Sequence, residues 1–210
     1  KEEEKTVTHI VIMGTGEPLD NYDALLRFIE LLTCEGGLHI SQRNVTVSTC
    51  GIVPAMRKLA DEKLQITLAL SLHASSQEKR KSLMPVANKY ELPDVLEACD
   101  VYFEKTGRRI SFEYTLIRGK NDSVAAAEQL ANVLNSRLRS RNDTMPIHVN
   151  LIPVNPVEQT GFDRSDNKAV KAFAAALEKK GVRATVRRKL GADINAACGQ
   201  LRRAEQKKQS

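Results

Sequence analysis

The sequence predicts an α/β fold, either a parallel sheet or an incomplete barrel of roughly five βα units, short of the eight in a full TIM barrel. Three observations predict it. Strand-length apolar runs alternate with segments of helical period along the whole chain. No internal repeat, long linker or compositional shift marks a second domain, so residues 1–210 read as one domain. The 210 residues are also 41% hydrophobic against 28% charged, enough to bury a sizeable core.

The elements follow in order. His9-Ile10-Val11-Ile12-Met13 is a short apolar run closed by Gly14, the pattern of a buried strand. Tyr22, Leu25, Leu26 and Ile29 then fall at i, i+3, i+4 and i+7, one face of a helix. Val45 to Ser48 is the second strand, and Val53 to Ala60 a short helix with Pro54 suited to its first turn. Ile66 to Leu72 is the third strand. Ser75 and Glu78 behind it have capping-box spacing. Leu92, Val95, Leu96, Cys99 and Phe103 make an apolar stripe that Gly107 is placed to stop.

Ile110 to Leu116 alternates in part and reads as the fourth strand. Ala127, Leu130, Ala131, Leu134 and Leu138 form the next helix face, and Ile147 to Ile152 the fifth strand. Val170, Phe173, Ala174 and Leu177 give the last helix, before a strand over Val182 to Val186. The chain opens directly into a strand, so the fold is read either as an incomplete barrel or as one lacking an N-terminal portion.

Composition excludes several classes. The hydrophobicity and modest charge argue against disorder, and 11 Gly with 7 Pro against a collagen-like chain. No apolar run approaches the roughly 18 residues of a membrane span. Lys1 to Lys5 is mostly charged, unlike a signal peptide. Cys34, Cys50, Cys99 and Cys198 are scattered, with neither disulfide-framework, zinc nor iron–sulfur spacing. A cytoplasmic, monomeric protein is expected. The net charge of +6 favours polyanions modestly. Its distribution says more: Arg137, Arg139 and Arg141 precede the fifth strand, and Arg183, Arg187, Arg188, Lys189, Arg202, Arg203, Lys207 and Lys208 crowd the last stretch.

In parallel α/β folds, ligands bind beyond the carboxyl ends of the strands. The polar residues expected there are Gly14, Thr15, Gly16 and Glu17, then Ser48 and Thr49, then Ser71 and His73. Glu113, Asn150, Asn155, Asp193, Asn195 and Cys198 complete the set. Gly14-Thr15-Gly16-Glu17-Pro18 lacks the third glycine of a dinucleotide fingerprint and the Lys-Ser/Thr of a phosphate loop. A carboxylate where phosphate-binding amides would stand suggests a cationic partner such as an amino group, although a helix-capping glutamate would read the same way. His73 is expected at the mouth, and a lone histidine is more often structural. Cys198 lies among small residues near Arg187, Arg188 and Arg202, cations that favour a nucleophilic thiolate. Cys99, on a core stripe, reads as structural.

Several segments resemble one family: Met13-Gly14-Thr15-Gly16-Glu17-Pro18-Leu19, Val47-Ser48-Thr49-Cys50-Gly51-Ile52-Val53-Pro54, Ser71-Leu72-His73-Ala74, Leu83-Met84-Pro85 and Phe112-Glu113-Tyr114. His148-Val149-Asn150-Leu151-Ile152-Pro153-Val154-Asn155-Pro156 and Asp193-Ile194-Asn195-Ala196-Ala197-Cys198-Gly199-Gln200-Leu201 continue the match, in order, almost end to end. The chain resembles the radical-SAM adenine-C2 methyltransferases of ribosomal and transfer RNA, the RlmN family, with Cfr as a close relative.

The resemblance implies a partial barrel of the radical-SAM type without its first βα unit. It implies that Gly16 and Glu17 hold the amino group of S-adenosylmethionine, with Ser48, Ser71-Leu72-His73 and Asn155 completing the cofactor site. Cys198 would be the cysteine that becomes methylated and hands its carbon to an adenine of 23S rRNA or tRNA by radical chemistry. The basic C-terminal residues would contact RNA phosphate. Pro18 favours methylation at C2 over C8, and Cys50 departs from the family's usual serine.

The family's cluster motif, Cys-x-x-x-Cys-x-x-Cys, is absent, so the ligands of a [4Fe-4S] cluster are expected upstream of this chain, with the N-terminal RNA-binding domain. The chain is thus expected to be the C-terminal part of such an enzyme, inactive by itself. Three alternatives stand beside this reading: an inactive SAM- or RNA-binding fragment, a C8 methyltransferase of the Cfr type, and an unrelated α/β enzyme of a small anionic substrate.

Overall fold

The computed structural model describes residues 6–14, 16–139, 145–154 and 161–187. Six strands, β1 (Ile10–Ile12), β2 (Val45–Thr49), β3 (Thr67–Ser71), β4 (Ile110–Leu116), β5 (Ile147–Pro153) and β6 (Arg183–Val186), form one sheet in that spatial order. Every pairing is parallel. Among the described residues β1 and β6 each have one strand neighbour, so the sheet is an open, partial barrel. Helices α1 (Tyr22–Thr33), α2 (Val53–Asp61), α3 (Gln77–Leu83), α4 (Leu92–Thr106), α5 (Val124–Leu134) and α6 (Asn167–Lys179) supply the crossovers that parallel strands require. No described helix is long and apolar enough to cross a membrane.

The pleat divides the sheet into two unlike faces. Val45, Val47, Leu68, Leu70, Ile110, Phe112, Tyr114, Val149 and Leu151 are fully buried, and the Tyr114 ring meets Phe173 of α6 with centroids 5.1 Å apart. This is the helix-covered face, where each buried aliphatic contributes about 1.5–3 kcal/mol. The other face, here called inner, is polar. Register sets Ser48, Ala69, Ser111, His148 and Arg183 in one lateral row and Ser71, Glu113, Asn150 and Thr185 in the next. A parallel sheet covered on both sides would carry aliphatics at these positions. A polar inner face is one that meets water or ligand.

Local signals hold with three corrections. The first is β1, expected as a buried strand: among the described residues it is an edge strand, with Val11 exposed and Ile10 and Ile12 only partly buried. α4 stops where Gly107 turns left-handed at φ 64° and donates its N–H to Phe103 O at 2.8 Å. Pro54 sits in the first turn of α2. Helix α3, however, is capped by Ser76, whose Oγ accepts from Lys79 N at 3.3 Å. Ser75 is instead buried and donates to Gln129 Oε1 at 2.9 Å, a partner in α5 that local spacing does not reveal. The face of α5 holds through Leu134. Leu138 lies beyond it in a π turn over Asn135–Arg139, buried all the same.

Candidate functional site

The loops at the carboxyl ends of the strands are held together by charge-assisted hydrogen bonds. Glu17 follows β1. Its Oε1 accepts from Leu19 N at 3.1 Å, capping a short 3₁₀ turn, and its Oε2 accepts from Cys50 N at 2.6 Å in the loop after β2. The carboxylate is thus both a local cap and a bridge between two loops. Each oxygen accepts one described bond, which leaves lone pairs for a cation. Gly16, beside it, is exposed at φ 109°.

The loop after β2 is clamped from beneath by a residue the sequence reading passed over. Arg80 of α3 is fully buried, donating Nη2 to Cys50 O at 2.7 Å and Nη1 to Tyr90 O at 3.2 Å. No described carboxylate pairs with it. Cys50 is therefore gripped at both ends, its N–H by Glu17 and its C=O by Arg80. Gly51 follows at φ 98°, and an added Cβ there would lie 3.0 Å from Arg80 Nη2 and 3.2 Å from Val95, so a side chain is barred by both backbone and packing. The Cys50 thiol is pushed up to about 12 by burial and then by Glu17. It stays a neutral thiol.

After β3 the chain turns through Leu72 and His73, whose N–H groups both donate to Glu113 O, at 3.0 and 3.2 Å. Leu72 is buried, so its backbone rather than its side chain serves the mouth. His73 adopts φ 57°, and its Nδ1 accepts from Thr115 N at 3.1 Å. Burial first, and then the nearby Arg80 charge, lowers its pKa to about 4. The imidazole is neutral, with its proton on Nε2. His73 was expected to stand exposed at the mouth; it is partly buried instead, because the ring takes over the ladder position where β3 ends.

Asn121, also unmarked in the sequence, locks this turn. It is buried, donates Nδ2 to His73 O at 2.9 Å and to Thr115 O at 2.7 Å, and accepts from Ile117 N at 2.8 Å. Neither Arg80 nor Asn121 had a signal to find it by. Arg80 stands in a Lys-Arg-Lys run that looks solvated, and Asn121 in an ordinary Gly-Lys-Asn-Asp loop.

On the inner face below the mouth lies a polar row. Glu113 is nearly fully buried, with Oε1 accepting from Ser111 Oγ and Oε2 from Asn150 Nδ2, both at 2.8 Å. Burial raises its pKa, against the opposing pull of those two donors and of Arg187. Thr185 Oγ1 meets His148 Nε2 at 3.1 Å on the adjoining strand.

Of the expected site residues, Gly16, Glu17, Ser71, Leu72 and His73 lie at this edge, on the turns or terminal strand residues of β1 to β3. Ser48 sits one row lower on the inner face, level with Ser111 and His148. Cys198 and Asn155 lie outside the described residues, as do Thr15, Asp193 and Asn195. Among the described residues no group of three or more His, Cys, Asp or Glu could hold a metal ion.

Comparisons with known proteins agree with this geometry. Residues 1–131 match the family described as the Radical SAM superfamily. The chain is 55% identical over 198 residues to a "Probable dual-specificity RNA methyltransferase RlmN" of Lachnoclostridium phytofermentans, covering 94% of this chain and 53% of the relative. A relative of the same name from Clostridium perfringens strain 13 is 52% identical, over 94% of this chain and 55% of its own length. A solved radical SAM methyltransferase from Sphaerobacter thermophilus superposes with a TM-score of 0.86 at 44% identity, over 93% of this chain and 55% of that one. The chain spans about half the length of the curated relatives it matches.

Proposed function

The chain belongs to the radical SAM superfamily, and on that premise we propose that it is the barrel portion of an RNA methyltransferase that methylates carbon 2 of an adenine in 23S rRNA and tRNA. The observation that carries the reading is the convergence of Glu17, Ser71 and the His73 turn on one sheet edge, above a polar inner face. The 55% identity to a relative bearing the name of a dual-specificity RNA methyltransferase supports it.

S-adenosylmethionine fits the residues present. A carboxylate with spare lone pairs beside an exposed, side-chain-free Gly16 suits an ammonium group, and Ser71 at this edge and Ser48 one row below it offer hydroxyls on the inner face. Asn155 completes the proposed cofactor set. When bound, this cofactor supplies a transferable methyl group and one-electron chemistry. The described residues do not fit an iron–sulfur cluster, so no step is assigned through one, and this chain alone is expected to bind without turning over.

The chain's own residues position and exclude. Glu17, fixed by Leu19 N and Cys50 N, presents a preorganised acceptor. His73, neutral, presents an Nε2–H donor. Glu113 and Asn150 order the floor below. Cys198 is proposed as the methyl-carrying thiol.

Calorimetric titration tests the cofactor assignment. The chain is expected to bind S-adenosylmethionine and not inorganic phosphate, and Glu17→Gln to weaken that binding by about tenfold or more, the value of a charge-assisted hydrogen bond. Phosphate binding without S-adenosylmethionine binding would move the protein to an enzyme of small anions. In the complete enzyme, Cys198→Ala is expected to abolish methyl transfer while cofactor cleavage persists; full methylation by that variant would remove Cys198 from the reaction.

A further inference from the structure

The opposite edge of the sheet, where the strands begin, has a different character. Arg43 precedes β2, Arg108 and Arg109 precede β4, and Arg183 opens β6. No described carboxylate forms an ion pair with any of them. They feel one another instead: apart from burial, Arg43 and Arg109 are what lower the Arg108 guanidinium, and Arg109 and Arg183 what lower His148. The Arg108 Nε is buried without a hydrogen-bond partner.

Helix dipoles do not account for this cluster. Lys179 sits in the last turn of α6, where a cation offsets the exposed carbonyls. Arg109 and Arg183 stand at strand starts, after the helices have ended, and Arg43 in a three-residue 3₁₀ turn too short to carry much dipole. Pairing in the sheet places Arg183 beside His148, and the two-residue period puts Arg109 on the same inner face as Ser111 and His148. A cavity of about 590 Å³ runs along β6 here, lined by His148, Arg183 and Thr185 together with Glu178, Gly181, Val182 and Ala184. Among the described acids, Glu178 lines this same cavity, whereas Asp61 is engaged with Lys105 and Glu62 with the Tyr22 hydroxyl at 3.0 Å.

We propose that the N-terminal end of the inner face, formed by Arg109, His148 and Arg183 and rimmed by Arg43 and Arg108, is a binding surface for the phosphodiester backbone of RNA. The proposal rests on the reading of RNA as substrate and adds a second contact region to it. Like charges that outnumber the Glu178 carboxylate in their cavity are stabilised by an anion that neutralises several at once. Arginine's planar fork matches phosphate oxygens in pairs, as a lysine point charge does not.

Fluorescence anisotropy of a short fluorescein-labelled single-stranded RNA, titrated with this chain between about 50 and about 200 mM salt, tests the surface. Arg109→Ala with Arg183→Ala is expected to weaken binding about tenfold at low salt and to flatten the log–log salt slope by about 1.4, two phosphates at roughly 0.7 each. Arg109→Lys with Arg183→Lys is expected to recover most of the slope. Lys168→Ala with Lys171→Ala, an exposed pair on α6 of the same charge, is the control and is expected to change affinity less than about twofold.

An unchanged slope in the arginine pair, or equal losses in arginine and lysine pairs, overturns the proposal in favour of net charge alone. Tighter binding of poly-glutamate than of RNA, abolished by the same arginine changes, overturns it in favour of an acidic protein partner. Calorimetry with S-adenosylmethionine on these variants keeps the two readings apart. Unchanged cofactor affinity beside a lost RNA slope supports the surface, whereas no cofactor binding by any version breaks the methyltransferase reading without touching the RNA result.

Discussion

The two edges of the sheet solve opposite problems. At the carboxyl edge, polar groups are pinned: Glu17 by two backbone N–H groups, Arg80 by two carbonyls, and His73 by Thr115 N and Asn121. At the amino edge, Arg43, Arg109 and Arg183 are exposed and form no described ion pair, although Glu178 lines the cavity beside Arg183. Polar groups that must hold a geometry are buried and paired, because an unpaired buried donor or acceptor costs about 1–3 kcal/mol. Groups that wait for a polyanion stay solvated and unpaired, because their partner is delivered later. Hydrogen bonding at one edge and its lack at the other therefore separates a preorganised pocket from an electrostatic surface.

Breaking the carboxyl edge should have the largest effect. Arg80→Met removes two charge-assisted bonds and leaves the Cys50 and Tyr90 carbonyls buried without their donor. Relief from burying a guanidinium offsets part of that loss. A net destabilisation of about 2–4 kcal/mol is expected from urea unfolding. Arg80→Lys should recover a fraction, since one ammonium cannot span both carbonyls. Unchanged stability in Arg80→Met would mean that the loop holds Glu17 without the clamp.

The contrast also explains what sequence could reveal. Six strands, six helices and the Gly107 stop follow from apolar period and local capping, which are properties of neighbouring residues. Glu17 and His73 were legible as candidates because they fall just past apolar runs. Arg80 and Asn121 were not, since their partners lie 30 and 48 residues away, at Cys50 and His73, and nothing in a Lys-Arg-Lys run announces a buried guanidinium. The basic stretch from Arg183 onward read as one cluster, yet β6 divides it, leaving Arg183 at the amino edge and Arg187 at the other. Charge in sequence is linear, whereas a strand carries its two ends to opposite poles.

A pH titration sharpens the comparison at intermediate magnitude. The His73 pKa falls from an ordinary 6.5 to about 4 on folding, so the folded state binds fewer protons than the unfolded chain in that interval. Its contribution to stability is fully present above pH 6.5 and is lost as pH falls towards 4. The slope is at most about 1.4 kcal/mol per pH unit, reduced by the ring's partial exposure. Glu113 tilts the other way. Its folded-state pKa is raised, so its contribution is present at low pH and lost as pH rises through the shifted value. Urea midpoints followed from neutral to acid pH should therefore fall in the wild type and fall less in His73→Gln. Parallel curves would mean that the ring protonates in place, against its bond from Thr115 N.

The smallest effect is expected at the amino edge, and its sign is the informative part. Arg109→Ala and Arg183→Ala delete exposed side chains that hold no described ion pair, so no packing or paired charge is lost. What is removed is repulsion: Arg109 acts on Arg108, and Arg109 and Arg183 both oppose protonation of His148. Surface changes of this kind move stability by no more than about 0.5 kcal/mol. Here each should move it upward, at low salt only, because about 1 M salt shortens the screening length to roughly 3 Å and hides the repulsion. Loss of stability at every salt concentration would show that these arginines serve the fold. A gain that vanishes with salt would show an edge that carries like charge at a cost, the condition a polyanion relieves.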